Sequence, residues 1–282
     1  MKAPGRLTVV ATPLGDARDL SPRAAAALRE ADLIVAEDTR SARRLLAETG
    51  GGAGPAIVSC FDANEAARAA EVEARLLAGA NVVLISEAGT PLVSDPGYRI
   101  VAAAIAAGAR VVPVPGPSAV LAALVGAGLP TDRFLFLGFP PRKSGARRRL
   151  FGSVRALPFT LVFYESPLRT PATLVDLAAV LGADRRACVA RELTKPHEEF
   201  VRDSLEALAA HYADARPLGE VTLVVAGADG AGASDLGDDE IRERAAQLMA
   251  EGRSPSDAAR ELAALTGRPR REVYALVAQK SG

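Results

Sequence analysis

Three short segments of the sequence combine glycine, proline and small hydroxyl residues in a way that suits ligand binding. They are residues 12–16, 86–97 and 115–119. Glycine lets a backbone approach a ligand closely, and proline fixes the backbone so that this approach is preformed. Turn formation alone explains one such segment, whereas three on one sheet edge indicate a ligand site. None matches Gly-x-x-x-x-Gly-Lys-Ser/Thr or Gly-x-Gly-x-x-Gly, so a nucleotide triphosphatase or an ordinary dinucleotide enzyme is disfavoured.

A second feature is a run of five cations in eight residues, which contains a glycine and no acid. The cations are Arg142, Lys143, Arg147, Arg148 and Arg149. Such a run is typical either of a solvated surface or of a segment that grips phosphates. Its place after Pro140 and Pro141 favours a mobile phosphate-gripping loop. A weaker basic patch lies at residues 268–271.

Charge and composition limit the classes of function. The chain has 34 basic and 34 acidic side chains, so no global positive field draws it onto nucleic acid. Two cysteines, Cys60 and Cys188, cannot make a disulfide framework, which favours a reducing compartment such as the cytoplasm. No apolar stretch reaches the roughly 18–20 residues of a membrane span, and residues 7–11 are too short for a signal-peptide core. No Cys/His cluster has metal-ligand spacing, so we expect no metal. Since no membrane span is predicted, we expect no membrane association.

The elements that position these segments begin with a predicted parallel sheet. Short apolar runs alternate with Ala/Leu-rich helical segments, and the runs are residues 7–11, 33–36, 56–59, 82–85 and 110–114. Because unalternated apolar runs are typical of strands buried on both faces, they predict a mainly parallel sheet covered by helices. Ligands collect at the carboxyl ends of such strands, and the three segments follow strands one, four and five. This N-terminal α/β domain is predicted to span residues 1–115.

A second α/β domain is predicted over residues 116–227. Its expected strands lie at residues 134–137, 159–164, 187–190 and 221–225. Residues 227–234 are small and predict a flexible linker. The tail, residues 238–282, is predicted to be all-helical, with helices at 239–250, 256–265 and 270–278. The expected fold is therefore two α/β domains that meet at a cleft near residues 115–121, plus a small helical C-terminal domain.

Seven segments, taken in order, resemble the tetrapyrrole methylase superfamily. They are residues 10–15, 36–40, 86–97, 113–119, 128–134, 163–167 and 190–195. The likeness covers about residues 6–227, and a weaker one relates the tail to a helix-turn-helix-like domain. Within the superfamily, the set is similar to members that methylate the ribose 2′-hydroxyl of a cytidine in the decoding region of 16S ribosomal RNA. Members that modify tetrapyrroles generally carry a glycine-rich loop where this chain has Thr12, Pro13 and Leu14.

The resemblance implies that S-adenosylmethionine binds in the cleft between the two α/β domains. By motif, the residues expected to line this pocket are Pro13, Leu14, Ala88, Gly89, Thr90, Val93, Ser118, Ala119, Phe163 and Tyr164. Backbone of the second domain near Leu193, Val221 and Thr222 is expected to complete it. The resemblance further implies 16S ribosomal RNA of the small ribosomal subunit as partner, and a homodimer.

Methyl transfer to a ribose hydroxyl requires an aligned nucleophile and a group that accepts its proton. The candidates are Glu37, Asp95, Glu165, Glu192 and Lys195, with Asp16 and Asp38 beside them. Each has an ordinary alternative: residues 37–39 can cap the next helix, and Glu192 can pair with Arg191. Two other functions stay open, a porphyrinoid C-methyltransferase and a non-enzymatic ribosome-assembly protein with a vestigial pocket. The basic run and the tail argue against the first, and the intact loop motifs argue against the second.

Overall fold

The computed structural model describes residues 3–50, 54–214, 216–228, 236–266 and 268–278. The first unit is a five-stranded sheet in the order β3-β2-β4-β1-β5, and every strand pairing in it is parallel. Its strands are β1 (Arg6–Val10), β2 (Leu33–Ala36), β3 (Ala56–Ser59), β4 (Asn81–Ile85) and β5 (Arg110–Val114). The sequence prediction of a parallel sheet is confirmed.

Helices cover both faces of this sheet, as the unalternated strands require. They are α1 (Pro22–Arg29), α2 (Thr39–Glu48), α3 (Glu65–Leu77) and α4 (Tyr98–Ala106). Leu7 and Leu84 point to the core beneath α3 and α4, whereas Val10 and Ile34 point to the core beneath α1 and α2. Successive strand residues alternate between the faces, so both faces need apolar side chains.

The second unit is a mixed five-stranded sheet in the order β6-β7-β10-β8-β9. Its strands are β6 (Phe134–Phe136), β7 (Thr160–Glu165), β8 (Arg186–Arg191), β9 (Glu199–Ser204) and β10 (Val221–Val225). Only β6 and β7 pair in parallel; the other pairings are antiparallel. The sequence did not predict β9, since this edge strand has partly exposed, mostly polar residues and carries a weak apolar signal.

The helices of the second unit lie on opposite faces of its sheet. They are α5 (Ala119–Gly126) on the face toward the first unit, and α6 (Ser144–Val154), α7 (Thr170–Leu181) and α8 (Leu205–His211) on the other face. We call these the near face and the far face. The expectation of a mobile basic loop is wrong for residues 144–149, because they form the first turns of α6.

The C-terminal unit is a three-helix cluster with its own core. Its helices are α9 (Asp238–Ala250), α10 (Pro255–Thr266) and α11 (Arg270–Ala278). Ile241, Leu262 and Val273 are buried between them. The predicted linker, residues 227–234, falls mostly outside the described residues, and the domain limits at 115, 227 and 238 stay predictions. No helix within the described ranges has the length and apolar character of a membrane span.

Candidate active site

Hydrogen bonds join the three Gly/Pro segments at the carboxyl edge of the first sheet. Thr12 and Gly89 exchange two backbone hydrogen bonds, with N···O distances of 2.9 and 3.0 Å. The Thr90 hydroxyl donates to the carbonyl of Pro117 at 2.9 Å. The segments after β1, β4 and β5 therefore form one connected surface, which confirms that they share one edge of the sheet.

The segment after β4 approaches its neighbours so closely that side chains are excluded at its turn. Gly89 has a φ of +81°, and a Cβ there would lie 3.1 Å from Leu14 Cδ2. Leu92 and Ser94 also adopt left-handed backbone, each with a φ of 70°. Such conformations persist in non-glycine residues only where their surroundings hold them, and they concentrate at binding sites. The backbone at Gly89 is thus preformed and open to close approach by a ligand.

Residues of the second unit close over the segment after β1. The Asp16 amide donates to the Thr194 hydroxyl at 3.1 Å. Gly15 lies against Lys195, since a Cβ on Gly15 would be 2.3 Å from Lys195 Cγ. Between the two units lies a cleft of about 360 Å³. Most of its lining comes from the first unit, and the second unit contributes Lys195 and Glu220. The residues from the first unit are Thr12, Pro13, Leu14, Gly15, Ala17, Ser41, Ala42, Arg44, Leu45, Glu48, Ile85, Ser86, Glu87 and Ala88. Pockets of this size hold small molecules of cofactor dimensions.

An ion-paired network borders the cleft on the side of the second unit. Lys195 Nζ lies 3.0 Å from Glu192 Oε1 and 3.3 Å from Glu220 Oε2. The backbone amide of Glu220 donates to Glu192, and this bond together with Lys195 lowers the pKa of Glu192. Although burial opposes its charge, the pKa of Lys195 is raised by Glu192 and Glu220. The single cation is thus shared by two carboxylates, and the lowered pKa of Glu192 and the raised pKa of Lys195 make both poor proton acceptors at neutral pH.

A separate acidic group, around Asp95, lies in the segment after β4 and affects Tyr164 of the second unit. Burial raises the pKa of Asp95 to about 6, and the negative charges of Glu37 and Glu87 add to this rise. A hydrogen bond from Ser86 acts in the opposite direction and lowers the pKa. The pKa of Glu37 is itself raised by burial and then by Glu87. Burial and the nearby Asp95 raise the pKa of Tyr164 to about 12. Asp95 is the carboxyl group here whose pKa is poised for proton exchange near neutral pH.

Of the predicted cofactor-lining residues, Pro13, Leu14 and Ala88 line the cleft. Several others lie outside its lining but pack between the near face and the first unit. Leu14, Val93, Ala119, Tyr164 and Leu193 belong to the apolar cluster around α5. On β10, Thr222 pairs with Tyr164 in register, and Ser118 caps α5.

Phe163 and Val221 are the exceptions among these residues. Both side chains lie in the far-face core beneath α6, α7 and α8. Phe163 packs edge-on against Phe151, with ring centroids 5.5 Å apart. Neither side chain faces the cleft, so the prediction is wrong for the side chain of Phe163. Val221 was expected to contribute backbone, and that stays a prediction. The motif identified the correct strands, but the period of two placed these positions on the opposite face.

Three of the predicted acid–base candidates are occupied by structural roles. Glu165 is sealed on the far face, where it accepts a hydrogen bond from the Thr173 hydroxyl at 2.6 Å and pairs with Arg169 at 3.2 Å. Asp38 caps α2 through the Arg40 amide at 2.7 Å, which is the alternative foreseen for it. Asp16 pairs with Arg18, and this hydrogen bond lowers the pKa of Asp16 to about 2. A proton-accepting role for Glu165 is therefore wrong, because a substrate cannot reach it.

The basic run divides into one buried and four exposed cations. Arg147 is buried and donates from Nε to Asp176 Oδ2 at 2.8 Å. The prediction that it contacts phosphate is wrong, since its guanidinium is committed to Asp176. The exposed cations are Arg142, Lys143, Arg148 and Arg149.

Sequence reasoning missed several residues of the site. Glu220 and Arg44 line the cleft without belonging to any motif that the sequence singled out. Phe139 is 56% exposed beside Tyr164. A signal for it was present, because Phe139 stands between Gly138 and two prolines after a predicted strand, as the other Gly/Pro segments do. Within the described ranges, no three His, Cys, Asp or Glu side chains are grouped so that they could hold a metal ion.

Known proteins match both the main part of the chain and its tail. The sequence model of the family "Tetrapyrrole (Corrin/Porphyrin) Methylases" matches residues 6–209, and that of the "RsmI C-terminal HTH domain" matches residues 235–280. A protein of Synechocystis is 43% identical over 272 residues, which cover 96% of this chain and 97% of the relative. A protein of Mycobacterium tuberculosis H37Rv is 51% identical over 224 residues, or 79% of this chain and 78% of the relative. Both bear the name ribosomal RNA small subunit methyltransferase I.

Among solved structures, the methyltransferase CobJ has the same fold. Its TM-score is 0.61 at 24% identity, covering 80% of this chain and 95% of that chain. With the matches above, the chain therefore belongs to the tetrapyrrole methylase family and, within it, to the family of ribosomal RNA small subunit methyltransferase I.

Proposed function

We propose that this protein transfers a methyl group from S-adenosylmethionine to 16S ribosomal RNA in the small subunit. Its target in this proposal is the ribose 2′-hydroxyl of a cytidine in the decoding region. The observation that carries the proposal is the preformed Thr12–Gly89–Pro117 surface beside a cleft between two α/β units. It occurs in a chain 43% identical, over nearly its whole length, to a relative named for this substrate.

The cleft has the shape and chemistry to hold the cofactor. The apolar side chains of Pro13, Leu14 and Ala88 offer contact to its uncharged parts, and the preformed backbone at Gly89 permits close approach. Arg44 borders the same space, where it can pair with a carboxylate, whereas Lys195 is already paired with Glu192 and Glu220. When bound, the cofactor supplies an electrophilic methyl group. The protein's part is to align the hydroxyl that accepts it.

Asp95 is the proposed proton acceptor for that hydroxyl. With the cofactor bound, the ionised carboxylate would take the 2′-hydroxyl proton as the ribose oxygen bonds to the methyl carbon. The methyl–sulfur bond would break in the same step, and S-adenosylhomocysteine would leave. Glu37 acts through Asp95 by raising its pKa. Glu192 and Lys195 are not assigned this role, because the pKa of Glu192 is lowered and that of Lys195 is raised.

The exposed cations Arg142, Lys143, Arg148 and Arg149 are proposed to contact RNA phosphates. A homodimer and a cytoplasmic location complete the proposal. The buried free thiols of Cys60 and Cys188 are compatible with a reducing compartment. Light scattering at micromolar protein concentration tests the dimer, and a monomer mass would contradict it.

A methylation assay on small ribosomal subunits that lack this modification tests the function. We expect the radiolabelled methyl group of S-adenosylmethionine to appear in 16S RNA, at one cytidine ribose after nucleotide mapping. Methyl transfer to a porphyrinoid but not to subunits would overturn the proposal in favour of the small-substrate alternative. Cofactor binding in calorimetry without transfer to either substrate would favour the non-enzymatic alternative.

A further inference from the structure

Phe139 is an aromatic side chain that the fold leaves exposed next to Gly138, which approaches Ser94 in the segment that carries Asp95. Its side chain is 56% exposed. One side of the ring lies against Tyr164, with centroids 5.5 Å apart and planes tilted by 54°. Tyr164 is the residue whose pKa is influenced by Asp95. The exposed ring therefore stands at the rim between the two units, next to the proposed reaction centre.

The backbone on both sides of Phe139 is held firmly. On its N-terminal side, the Tyr164 amide donates to the Gly138 carbonyl at 3.0 Å, which extends the pairing of β6 with β7. Gly138 has a φ of +62°, and a Cβ there would lie 3.3 Å from Ser94 Oγ in the segment after β4. On its C-terminal side, Arg169 donates to the carbonyl of Pro140, while it pairs with the buried Glu165. A ring exposed on so rigid a segment is preformed for a partner, since little conformational freedom remains to be lost on binding.

The charges around Phe139 identify the chemistry of that partner. Arg142 and Lys143 follow it by three and four residues, and both are exposed. An exposed aromatic ring next to exposed cations is the combination that binds single-stranded nucleic acid: bases stack on the ring and phosphates pair with the cations. When a nucleotide enters a cleft, its base leaves the surrounding RNA stack, and the unstacked base then needs a new surface.

We propose that Phe139 is the stacking surface for an unstacked base of the RNA substrate, at or next to the nucleotide that is methylated. This inference rests on the proposed function and names a substrate-binding residue for it. Phe139 acts through the flat face of its ring and supplies no hydrogen bond. Its contribution therefore depends on aromaticity.

The test compares the wild type with Phe139→Ala, Phe139→Trp and Phe134→Ala. Phe134 is the matched control, because it is also an exposed aromatic residue (40%) and lies at the opposite end of β6. Small ribosomal subunits that lack the modification serve as substrate, and S-adenosylmethionine affinity is measured by calorimetry. We expect kcat/KM for subunits to fall about 5- to 150-fold in Phe139→Ala, the range that base–aromatic stacking gives on alanine substitution. The loss should lie mainly in KM, since stacking holds the ground state and the transition state alike.

The other variants decide whether stacking is the cause. Phe139→Trp should restore most of the efficiency, whereas Phe134→Ala and the cofactor affinity of every variant should match the wild type. Wild-type efficiency of Phe139→Ala, an equal loss in Phe134→Ala, or a failure of Phe139→Trp to recover would each overturn the inference. If the wild type itself methylates no subunits, the proposed function fails instead, and the two failures are thereby distinguished.

Discussion

The buried ion pair between Arg147 and Asp176 gives the sharpest test of how the basic run is used. Their side chains are only 6% and 9% exposed. Arg147 donates from Nε and from one terminal nitrogen to Asp176 Oδ2, at 2.8 and 2.5 Å. The same guanidinium also donates to the carbonyl of Ala172 on α7 at 3.3 Å. We therefore expect Arg147→Ala to lower the stability of the protein, because the pair ties α6 to α7.

The size of this loss can be estimated from the contacts that remain. Removing one partner of a buried pair destabilises a protein by about 3–5 kcal/mol, because the other charge stays buried. Here Asp176 would keep the Ser144 hydroxyl at 2.9 Å and the partly exposed Arg148 at 3.9 Å. These contacts place the estimate at the lower end, about 3 kcal/mol. For a chain of this size, that corresponds to a melting temperature lower by about 6–12 °C.

Thermal unfolding with Arg149→Ala as the matched control measures the effect. Arg149 lies on the same helix but is exposed, so its removal should change stability by less than about 0.5 kcal/mol. An apolar double variant, Arg147→Met with Asp176→Leu, should recover most of the loss, since no unpaired charge is left buried. If Arg147→Ala melts with the wild type but binds RNA more weakly, the assignment of Arg147 to a structural pair is refuted.

The remaining predictions concern the cofactor, the proton acceptor and the RNA surface. Gly89→Val should weaken S-adenosylmethionine binding tenfold or more in calorimetry, because a φ of +81° disfavours valine and Leu14 would have to move aside; unchanged affinity in a folded variant would contradict this. The wild-type kcat/KM should rise with pH through about 6, as Asp95 loses its proton, and Asp95→Asn should lose this acid limb and roughly 10²- to 10⁴-fold in rate. Because folding raises the pKa of Asp95, the protonated carboxyl group stabilises the folded state at low pH. This stabilisation is lost as the pH rises toward 6, so the melting temperature of Asp95→Asn at pH 7 should be no lower than that of the wild type. The double variant Arg148→Ala with Arg149→Ala should reduce the salt dependence of RNA binding by roughly 0.7–0.9 units of logarithmic slope per lost phosphate contact. An unchanged slope would show that neither cation contacts a phosphate.

The sequence was sufficient for those parts of the fold that depend on local pattern. The five strands of the first sheet are mainly apolar without alternation, and each lies within a residue of its predicted position. The helices of the tail were predicted equally well from their capping and breaking residues. In contrast, β9 has three charged residues among six and gains its order from pairing with β8. The paired residues of β8 and β9 lie apart in the sequence, so the apolar pattern of a short segment does not predict their pairing.

The candidate site was predicted well where the backbone forms it and poorly where side chains do. The Gly/Pro segments meet as expected, because their position follows from the topology of a parallel sheet. Glu165 and Phe163 were misplaced, since a shift of one residue along a strand moves a side chain to the other face. Arg147 was misplaced because a charge run does not reveal which member meets a buried acid on another helix. Only the three-dimensional register of α6 against α7 shows that Asp176 lies opposite Arg147.

The position of Glu165 on the far face affects how the cofactor and the RNA would be held. The cleft is fixed mainly by hydrogen bonds among the segments after β1, β4 and β5, together with Thr194. The rim that carries Phe139 is braced in addition from the far face, where Glu165 pairs with Arg169 and Arg169 donates to Pro140. Because these far-face contacts include none of the hydrogen bonds that join the cleft segments, weakening them should change the geometry offered to RNA while leaving the cofactor cleft intact. The buried Glu165 is thus expected to influence RNA binding through position, although it touches neither the RNA nor the cofactor.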